Sequence, residues 1–356
     1  MRPLLATVLI FVSAVSAHAE ADHAAIAHAA LSEVIRPGYA ALSDQAASLK
    51  DKIELLCKEP SASSLGASRD AFVAAVAAWS KVEILRFGPI ATDHRYERLF
   101  YWPDPKGLGR RQIEKALAGQ DQTVTQADTL PAKSVALQGL PALEYLLYGD
   151  GAETLLTSTG DGAFRCAFAS SVATNINRIA KSVVEDWREG TASSKSFLTP
   201  EPGSVYRTSK EVTLELFKSF TSGIELVRDQ KLGKPLGAST GQARPTLAAF
   251  WRSGQSLSNA AGNLEGVRTL FAKGGFAQIV ADESPGVENS ILFDLNHAIE
   301  VLQGMHEPMA KVAEDEALRG KIEALRVSLK SAGQTAADAI SRGAGLAFGF
   351  NAMDGD

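Results

Sequence analysis

Helical periodicity is the feature that most restricts how this 356-residue chain can fold. Apolar residues recur every three or four positions, whereas the strict alternation typical of half-buried β-strands is almost absent. Glycine, proline and serine interrupt the apolar stretches at lengths typical of bundle helices. We therefore predict an all-α protein built from helical bundles. The predicted helices cover 22–57 (with Arg36-Pro37-Gly38 as a candidate break), 68–87, 107–117, 132–148, 164–189, 209–231, 246–273, 287–305 and 315–342, with Ser68 and Ser209 as N-terminal caps.

Two stretches rich in small, polar and helix-breaking residues divide the chain, at 190–203 and 231–245. Such composition is typical of loops and linkers. We predict an N-terminal helical bundle over 20–195 and a C-terminal helical bundle over 240–356. The boundary region between them, 196–239, contains a connecting helix.

Two pairs of short segments indicate that the bundles arose by internal duplication. Leu65-Gly-Ala-Ser68 matches Leu236-Gly-Ala-Ser239, and Pro141-Ala-Leu-Glu144 resembles His297-Ala-Ile-Glu300. Similar segments at comparable separations are the signature of a repeat. Alanine-rich matches of this length also arise by chance, so the residues alone leave duplication and coincidence as equal alternatives.

The first residues have the pattern of a secretory signal peptide. A positive start at Met1-Arg2 precedes an uncharged apolar run over 4–15, and Ala17-His18-Ala19 supplies small residues at a cleavage site. We predict a signal peptide over 1–19, cleavage after Ala19 and a periplasmic protein. The apolar run is shorter than the roughly 20 residues that a membrane-spanning helix needs, and the mature chain contains no transmembrane segment.

The two cysteines, Cys57 and Cys166, are predicted to form a disulfide. In an oxidising compartment, pairing is the natural state of two cysteines that lack C-x-x-C spacing. A metal or redox site is poorly supported, because neither cysteine has a neighbouring ligand residue.

Charge and motifs exclude several classes of function. The net charge is −5 with both signs interspersed, so the chain lacks the basic field that nucleic-acid binding requires. It also lacks H-E-x-x-H, the phosphate-binding G-x-x-x-x-G-K and the nucleophile motif G-x-S-x-G.

Two glutamates stand where apolar residues are expected. Glu83 continues a helical stripe of apolar side chains, and Glu144 continues another. A buried carboxylate needs a partner or a proton, and Arg86 and Arg95 are the nearest candidates, since arginine binds carboxylates through two parallel hydrogen bonds. Two alternatives stay open: a structural network between helices, or a polar pocket for a ligand or metal. The stripes are Phe72, Val76, Trp79 and Phe87, and Leu137, Leu140 and Leu147.

His297 and Glu300 are a second candidate site. Their spacing of three residues presents both side chains on one side of a helix, as in metal-binding helical bundles. A single pair at this spacing also occurs as a hydrogen-bonded core or surface pair, so metal binding is one of two readings.

Several segments, taken in order, resemble the imelysin-like family, and the resemblance covers essentially the whole mature chain. They are Trp79-Ser-Lys-Val-Glu83-Ile-Leu-Arg86-Phe-Gly-Pro89, Arg95-Tyr-Glu-Arg98-Leu-Phe-Tyr-Trp102-Pro-Asp104, Gly139-Leu-Pro-Ala-Leu-Glu144-Tyr-Leu-Leu-Tyr-Gly149 and the C-terminal Gly349-Phe-Asn-Ala-Met-Asp354-Gly-Asp356.

The resemblance implies two packed, duplicated bundles in the periplasm or cell envelope and a role in iron or haem acquisition. Envelope iron-uptake components are the implied partners, and iron, haem or another divalent cation is the implied ligand. The matched polar positions Glu83, Arg86, Arg95 and Glu144 are carried over as pocket residues.

The family also carries a metallopeptidase label, and its signature is G-x-H-x-x-E. Gly139 and Glu144 are kept here, but Pro141 replaces the histidine. Proline can neither bind a metal nor act as a base, so we predict a binding or accessory protein without catalytic activity. The alternatives are a metallopeptidase of the imelysin type and a helical scaffold that binds partner proteins. A scaffold leaves the acids on apolar faces unexplained.

Overall fold

The computed structural model describes residues 21–346, and every regular element in this range is helical. The prediction of an all-α fold is confirmed. The predicted signal peptide, its cleavage site and the C-terminal motif 349–356 lie outside the described residues. Between residues 21 and 346, no helix is both long enough and apolar enough to cross a membrane.

The first half of the chain packs around the long helix α2. Helix α2 lies against α3 and α7, and α6 lies against α7. A disulfide joins Cys57 of α2 to Cys166 of α7, with α-carbons 5.5 Å apart, which confirms the predicted pairing. The helices are α1 (His23–Ala30), a π-helix (Leu31–Ile35), α2 (Arg36–Lys58), α3 (Ala62–Val82), α4 (Arg95–Leu99), α5 (Leu108–Ala118), α6 (Gly139–Tyr148), α7 (Gly160–Asp186) and α8 (Ala192–Leu198).

The second half packs around one central helix. Helix α11 lies against α9, α12 and α13, and it also lies against α3 of the first half. Helix α1 packs against α9, so the two halves meet along two helix pairs. The helices are α9 (Ser209–Glu225), a π-helix (Leu226–Gly233), α10 (Lys234–Leu236), α11 (Ser256–Lys273), α12 (Phe276–Glu283), α13 (Val287–Gln303), α14 (Met309–Glu314) and α15 (Glu316–Gly343).

Short 3-10 turns complete the chain between these helices. Those of the first half are Gly88–His94, Gln122–Val124, Leu130–Ala132, Val135–Leu137 and Ala152–Leu156, and those of the second half are Thr240–Gln242 and Pro245–Leu247.

Pro37 does not end the first long helix. It lies in the first turn of α2, directly after the π-helix, where the backbone N–H of Arg36 donates to the carbonyl of Leu31. A proline lacks a backbone donor and its ring crowds the preceding turn. The wider π-helical turn before Pro37 accommodates that ring, so the chain continues as helix.

The starts of α3, α6 and α11 differ from the predicted ones, α6 beginning at Gly139 instead of 132, and α9 is capped by Thr208 instead of the predicted Ser209. Helix α3 begins at Ala62, because Ser61 and Ser64 cap it reciprocally, whereas Ser68 lies buried within the helix. Helix α11 begins at Ser256, ten residues after the predicted start at 246. The preceding segment forms a 3-10 turn and irregular turns in which Phe250 has a φ of 54°, a conformation incompatible with a helix.

The short matches that suggested duplication do not occupy equivalent places. Leu65–Ser68 lies inside α3, whereas Leu236–Ser239 spans the end of α10 and the turn after it. The internal duplication therefore stays a prediction.

Candidate functional site

Glu83 lies where α3 ends, at the contact between the two halves, and its side chain is completely buried. Its Oε1 is 2.6 Å from the Nζ of Lys231. Its Oε2 accepts hydrogen bonds from the Nδ2 atoms of Asn259, at 3.1 Å, and Asn263, at 3.0 Å. Both carboxylate oxygens are therefore bound by groups from the second half of the chain.

Lys231 completes this cluster from the π-helix Leu226–Gly233. Its ammonium donates to the Oδ1 of Asn259 at 2.8 Å and lies 4.6 Å and 4.2 Å from the ring centres of Phe100 and Trp102. Burial lowers the pKa of Lys231 to about 8, while Glu83 acts in the opposite direction. The ammonium is thus held by a carboxylate, an amide oxygen and two aromatic faces.

Glu144 lies in α6 and is almost completely buried, but its surroundings differ. Its Oε1 accepts hydrogen bonds from the backbone N–H of Ser253, at 2.9 Å, and from the Ser253 hydroxyl, at 2.7 Å. Burial raises the pKa of Glu144, and the hydrogen bonds from Ser253 and the charge of Arg252 oppose that rise. The irregular segment before α11 therefore provides the partner of this glutamate.

A cavity of about 450 Å³ lies beside Glu144, between α5, α6 and the segment 246–252. Its walls combine aromatic and charged side chains, as is usual for small-molecule sites. Gly139 allows this placement of α6, because it has a φ of +74° and a Cβ there would collide with the carbonyl of Leu99. The wall includes Tyr101, Trp102, Asp104, Arg110, Pro141, Glu144, Tyr145, Asp150, Trp251 and Arg252.

The arginines expected to hold Glu144 lie elsewhere, so that prediction of its partner is wrong. Arg95 pairs with Asp186 at 2.6 Å, and Arg86 is exposed with its guanidinium 4.8 Å from the ring centre of Tyr96. Neither lines the cavity. The sequence could not show this, because the partner of Arg95 is Asp186 at the end of α7, about 90 residues away along the chain.

The four residues predicted as one pocket thus occupy separate places. Glu144 lines the cavity, whereas Glu83 belongs to the buried cluster with Lys231. The two places are connected through Trp102, whose ring contacts Lys231 on one side and forms part of the cavity wall.

His297 and Glu300 lie exposed on α13, and the ring of His297 stacks on Phe293 at 6.4 Å. Across residues 21–346, no group of three or more histidine, cysteine, aspartate or glutamate side chains is placed to hold a metal ion. Metal binding by this pair stays a prediction.

Several residues of the buried cluster around Glu83 and of the cavity wall beside Glu144 were not identified from the sequence. Lys231, Asn259 and Asn263 lie on helices of the second half, about 150 to 180 residues from Glu83, and single sequences carry no signal of such contacts. Trp251 and Arg252 lie in a segment predicted to be helical. Gly254 was the available signal, since a glycine inside a helical pattern weakens the helix prediction, and its φ here is 73°.

Comparison with known proteins places the chain among imelysins. It matches the imelysin family model, peptidase family M75, over residues 35–335. It is 22% identical over 321 residues to iron-regulated protein A of Synechococcus elongatus, covering 87% of this chain and 81% of that protein.

Two crystal structures share the fold. An imelysin-like protein from Psychrobacter arcticum superposes with a TM-score of 0.75 at 20% identity, covering 92% of this chain and 97% of that one. A protein assigned as an iron-regulated protein A precursor, from Parabacteroides distasonis, gives a TM-score of 0.75 at 14% identity, with coverages of 90% and 94%.

Proposed function

The chain belongs to the imelysin family, and from this we propose that it is a periplasmic binding protein for iron or haem acquisition that lacks peptidase activity. The cavity beside Glu144 is its proposed ligand site. The observation that carries the proposal is the position of Pro141 and Glu144 in one cavity wall between the two halves.

The same observation argues against the metallopeptidase alternative. A catalytic zinc site needs about three protein ligands and an open coordination position. At the signature position the cavity presents a proline, and its glutamate already accepts two hydrogen bonds from Ser253. The wall is suited to holding a molecule instead of activating water on a metal.

The names of relatives support the link with iron. One relative is an iron-regulated protein A, and one structural neighbour is assigned as a precursor of the same kind of protein. The predicted signal peptide and the disulfide are both consistent with a periplasmic location, where envelope iron-uptake components are the proposed partners.

Binding can be tested by calorimetry with ferric citrate, haemin and chelator-free ferrous ion. We expect at least one of these to bind the wild-type protein and to lose affinity in Pro141→Trp, because the larger ring fills the cavity. Val205→Trp is the matched control, since Val205 is 81% exposed and remote from the cavity wall. Absence of binding, or equal binding to both variants, would contradict the cavity as the ligand site.

Catalysis can be tested separately with unfolded protein substrates, with and without added zinc. We expect no hydrolysis by the wild-type protein. Chelator-sensitive hydrolysis that disappears in Glu144→Gln would overturn the non-catalytic assignment and favour the metallopeptidase.

A further inference from the structure

We propose that Arg252 is the residue of the cavity that recognises the ligand, and that the ligand offers it a carboxylate group. Iron would then arrive as a complex with a carboxylate-bearing organic molecule and not as a free ion. This inference rests on the proposed function of the cavity and specifies its chemistry.

The guanidinium of Arg252 is fixed by two aromatic rings. It lies 4.3 Å from the ring centre of Trp251 and 5.0 Å from that of Tyr145, and all three residues line the cavity. Stacking of this kind holds the guanidinium plane in place while leaving its N–H groups free to donate. The arrangement is therefore preorganised for a planar acceptor with two oxygens.

Those N–H groups have no acceptor among the residues that the structure describes. In the range 21–346, every other buried or half-buried arginine has a hydrogen-bond or ion-pair partner, while Arg252 has none. The partnered arginines are Arg36, Arg69, Arg95, Arg98, Arg165, Arg228, Arg268, Arg319 and Arg326.

Two of these arginines show what a structural role looks like. Arg69 also stacks on a tyrosine, Tyr148, but donates to the carbonyl of Leu147 at 2.8 Å. Arg165 stacks on Tyr145 and donates to the carbonyl of Leu146 at 2.9 Å. Stacking is therefore common to all three arginines. Arg252 differs from the other two because its guanidinium N–H groups donate to no protein acceptor in the described range.

A half-buried charged group that lines a cavity without a hydrogen-bond or ion-pair partner is typical of a binding site. Burial lowers the pKa of the Arg252 guanidinium, and Glu144 attracts it without forming an ion pair. An incoming carboxylate would supply the missing acceptors as charge-assisted hydrogen bonds.

The surroundings favour an anion-bearing organic ligand over a bare cation. The guanidinium repels a metal ion, and no cluster of three candidate ligand side chains is found in the described part of the chain. Tyr101, Trp102 and Trp251 provide apolar faces for an organic framework.

The test measures binding of ferric citrate, haemin and chelator-free ferrous ion to Arg252→Gln, Arg252→Lys and the control Arg178→Gln. Arg178 carries the same charge, but it is exposed, pairs with Asp128 at 2.8 Å and does not line the cavity. We expect Arg252→Gln to weaken binding of a carboxylate ligand about 10- to 100-fold. Arg252→Lys should give an intermediate loss, and Arg178→Gln a change of less than about threefold.

The ligand that follows this pattern identifies the source of the carboxylate: a small chelator for ferric citrate, or the propionates of haem for haemin. The thermal unfolding midpoint of Arg252→Gln should lie close to that of the wild type, because the side chain loses its stacking on Trp251 and Tyr145 but no hydrogen bond or ion pair. Equal losses of binding in Arg252→Gln and Arg178→Gln would overturn the inference. Binding of ferrous ion alone, unchanged in Arg252→Gln but blocked by Pro141→Trp, would overturn it while leaving the proposed function intact. Absence of all binding would overturn both.

Discussion

Glu83 and Glu144 are both carboxylates buried on apolar helix faces, and their surroundings differ in one decisive respect. One oxygen of Glu83 is bound by the ammonium of Lys231, and the other accepts hydrogen bonds from two asparagine amides. Glu144 is held through one oxygen by Ser253, and it faces a cavity in which a guanidinium remains without an acceptor.

This difference separates a structural cluster from a site. A buried ion pair whose ammonium and carboxylate are both held by protein groups joins the two halves of the chain. A charged group that lines a cavity without a hydrogen-bond or ion-pair partner gains one when a ligand binds. The two regions therefore predict opposite responses to mutation.

The largest expected effect is at Lys231. Lys231→Met leaves the Glu83 carboxylate buried without its cation, and removing one partner of a buried pair typically lowers the free energy of unfolding by about 3–5 kcal/mol. Urea unfolding followed by circular dichroism measures the change.

The double variant Glu83→Leu/Lys231→Met is the control for this prediction. Replacing both charges with apolar groups is often neutral, so we expect it to recover most of the lost stability. A single variant as stable as the wild type would show that Glu83 and Lys231 are not coupled in the folded protein.

A smaller effect is expected at Asn263, which donates to Glu83 and to the carbonyl of Ser80 at 2.8 Å. Asn263→Ala leaves the carboxylate with fewer donors and the carbonyl without one, which should reduce the free energy of unfolding by about 1–3 kcal/mol. Asn289→Ala, at an exposed position, is the comparison. Equal unfolding midpoints for the two variants would show that the hydrogen bonds donated by the Asn263 side chain do not stabilise the cluster.

A still smaller effect on stability is expected for Glu144→Gln. A glutamine oxygen can still accept from Ser253, so at neutral pH the free energy of unfolding should change by less than about 1 kcal/mol. A decrease of several kcal/mol in the free energy of unfolding would show that Glu144, like Glu83, has a structural role.

The pH dependence sharpens this comparison. Burial raises the pKa of Glu144 above its ordinary value of 4.5, so the folded protein holds this proton more tightly than the unfolded chain does. Its contribution to stability is complete below pH 4.5 and declines as pH rises through the raised pKa. The wild type should therefore lose stability relative to Glu144→Gln over that window in urea unfolding. If the free energy of unfolding varied with pH in the same way for the wild type and Glu144→Gln, this prediction would be wrong.

The sequence predicts the helices and both buried glutamates because these follow from local periodicity. Helix α13 begins at Val287 as predicted and ends two residues before the predicted 305, and α5 is displaced by one residue at each end. The disulfide also follows, since two cysteines in an oxidising compartment have only each other.

The sequence does not predict which residues meet Glu83 and Glu144. Lys231, Asn259 and Ser253 come from distant positions, and their approach depends on how α11 packs against α3. The segment before α11 is apolar and rich in helix formers, yet Phe250 takes a left-handed conformation there, so tertiary packing overrides local preference. Arg252 reaches the cavity through that turn.

The central claim is that Lys231 is a structural cation and Arg252 a ligand-binding one. Urea unfolding of Lys231→Met and Arg252→Gln, with and without ferric citrate, tests it in one experiment, because a ligand that binds only the folded state raises the free energy of unfolding. Lys231→Met should lose several kcal/mol but gain the same increment from ferric citrate as the wild type. Arg252→Gln should keep its stability and gain an increment about 1.4–2.7 kcal/mol smaller than that of the wild type at excess ligand, as a 10- to 100-fold loss of affinity requires. The reverse pattern, with a destabilised Arg252→Gln that ferric citrate still stabilises fully, would contradict the account.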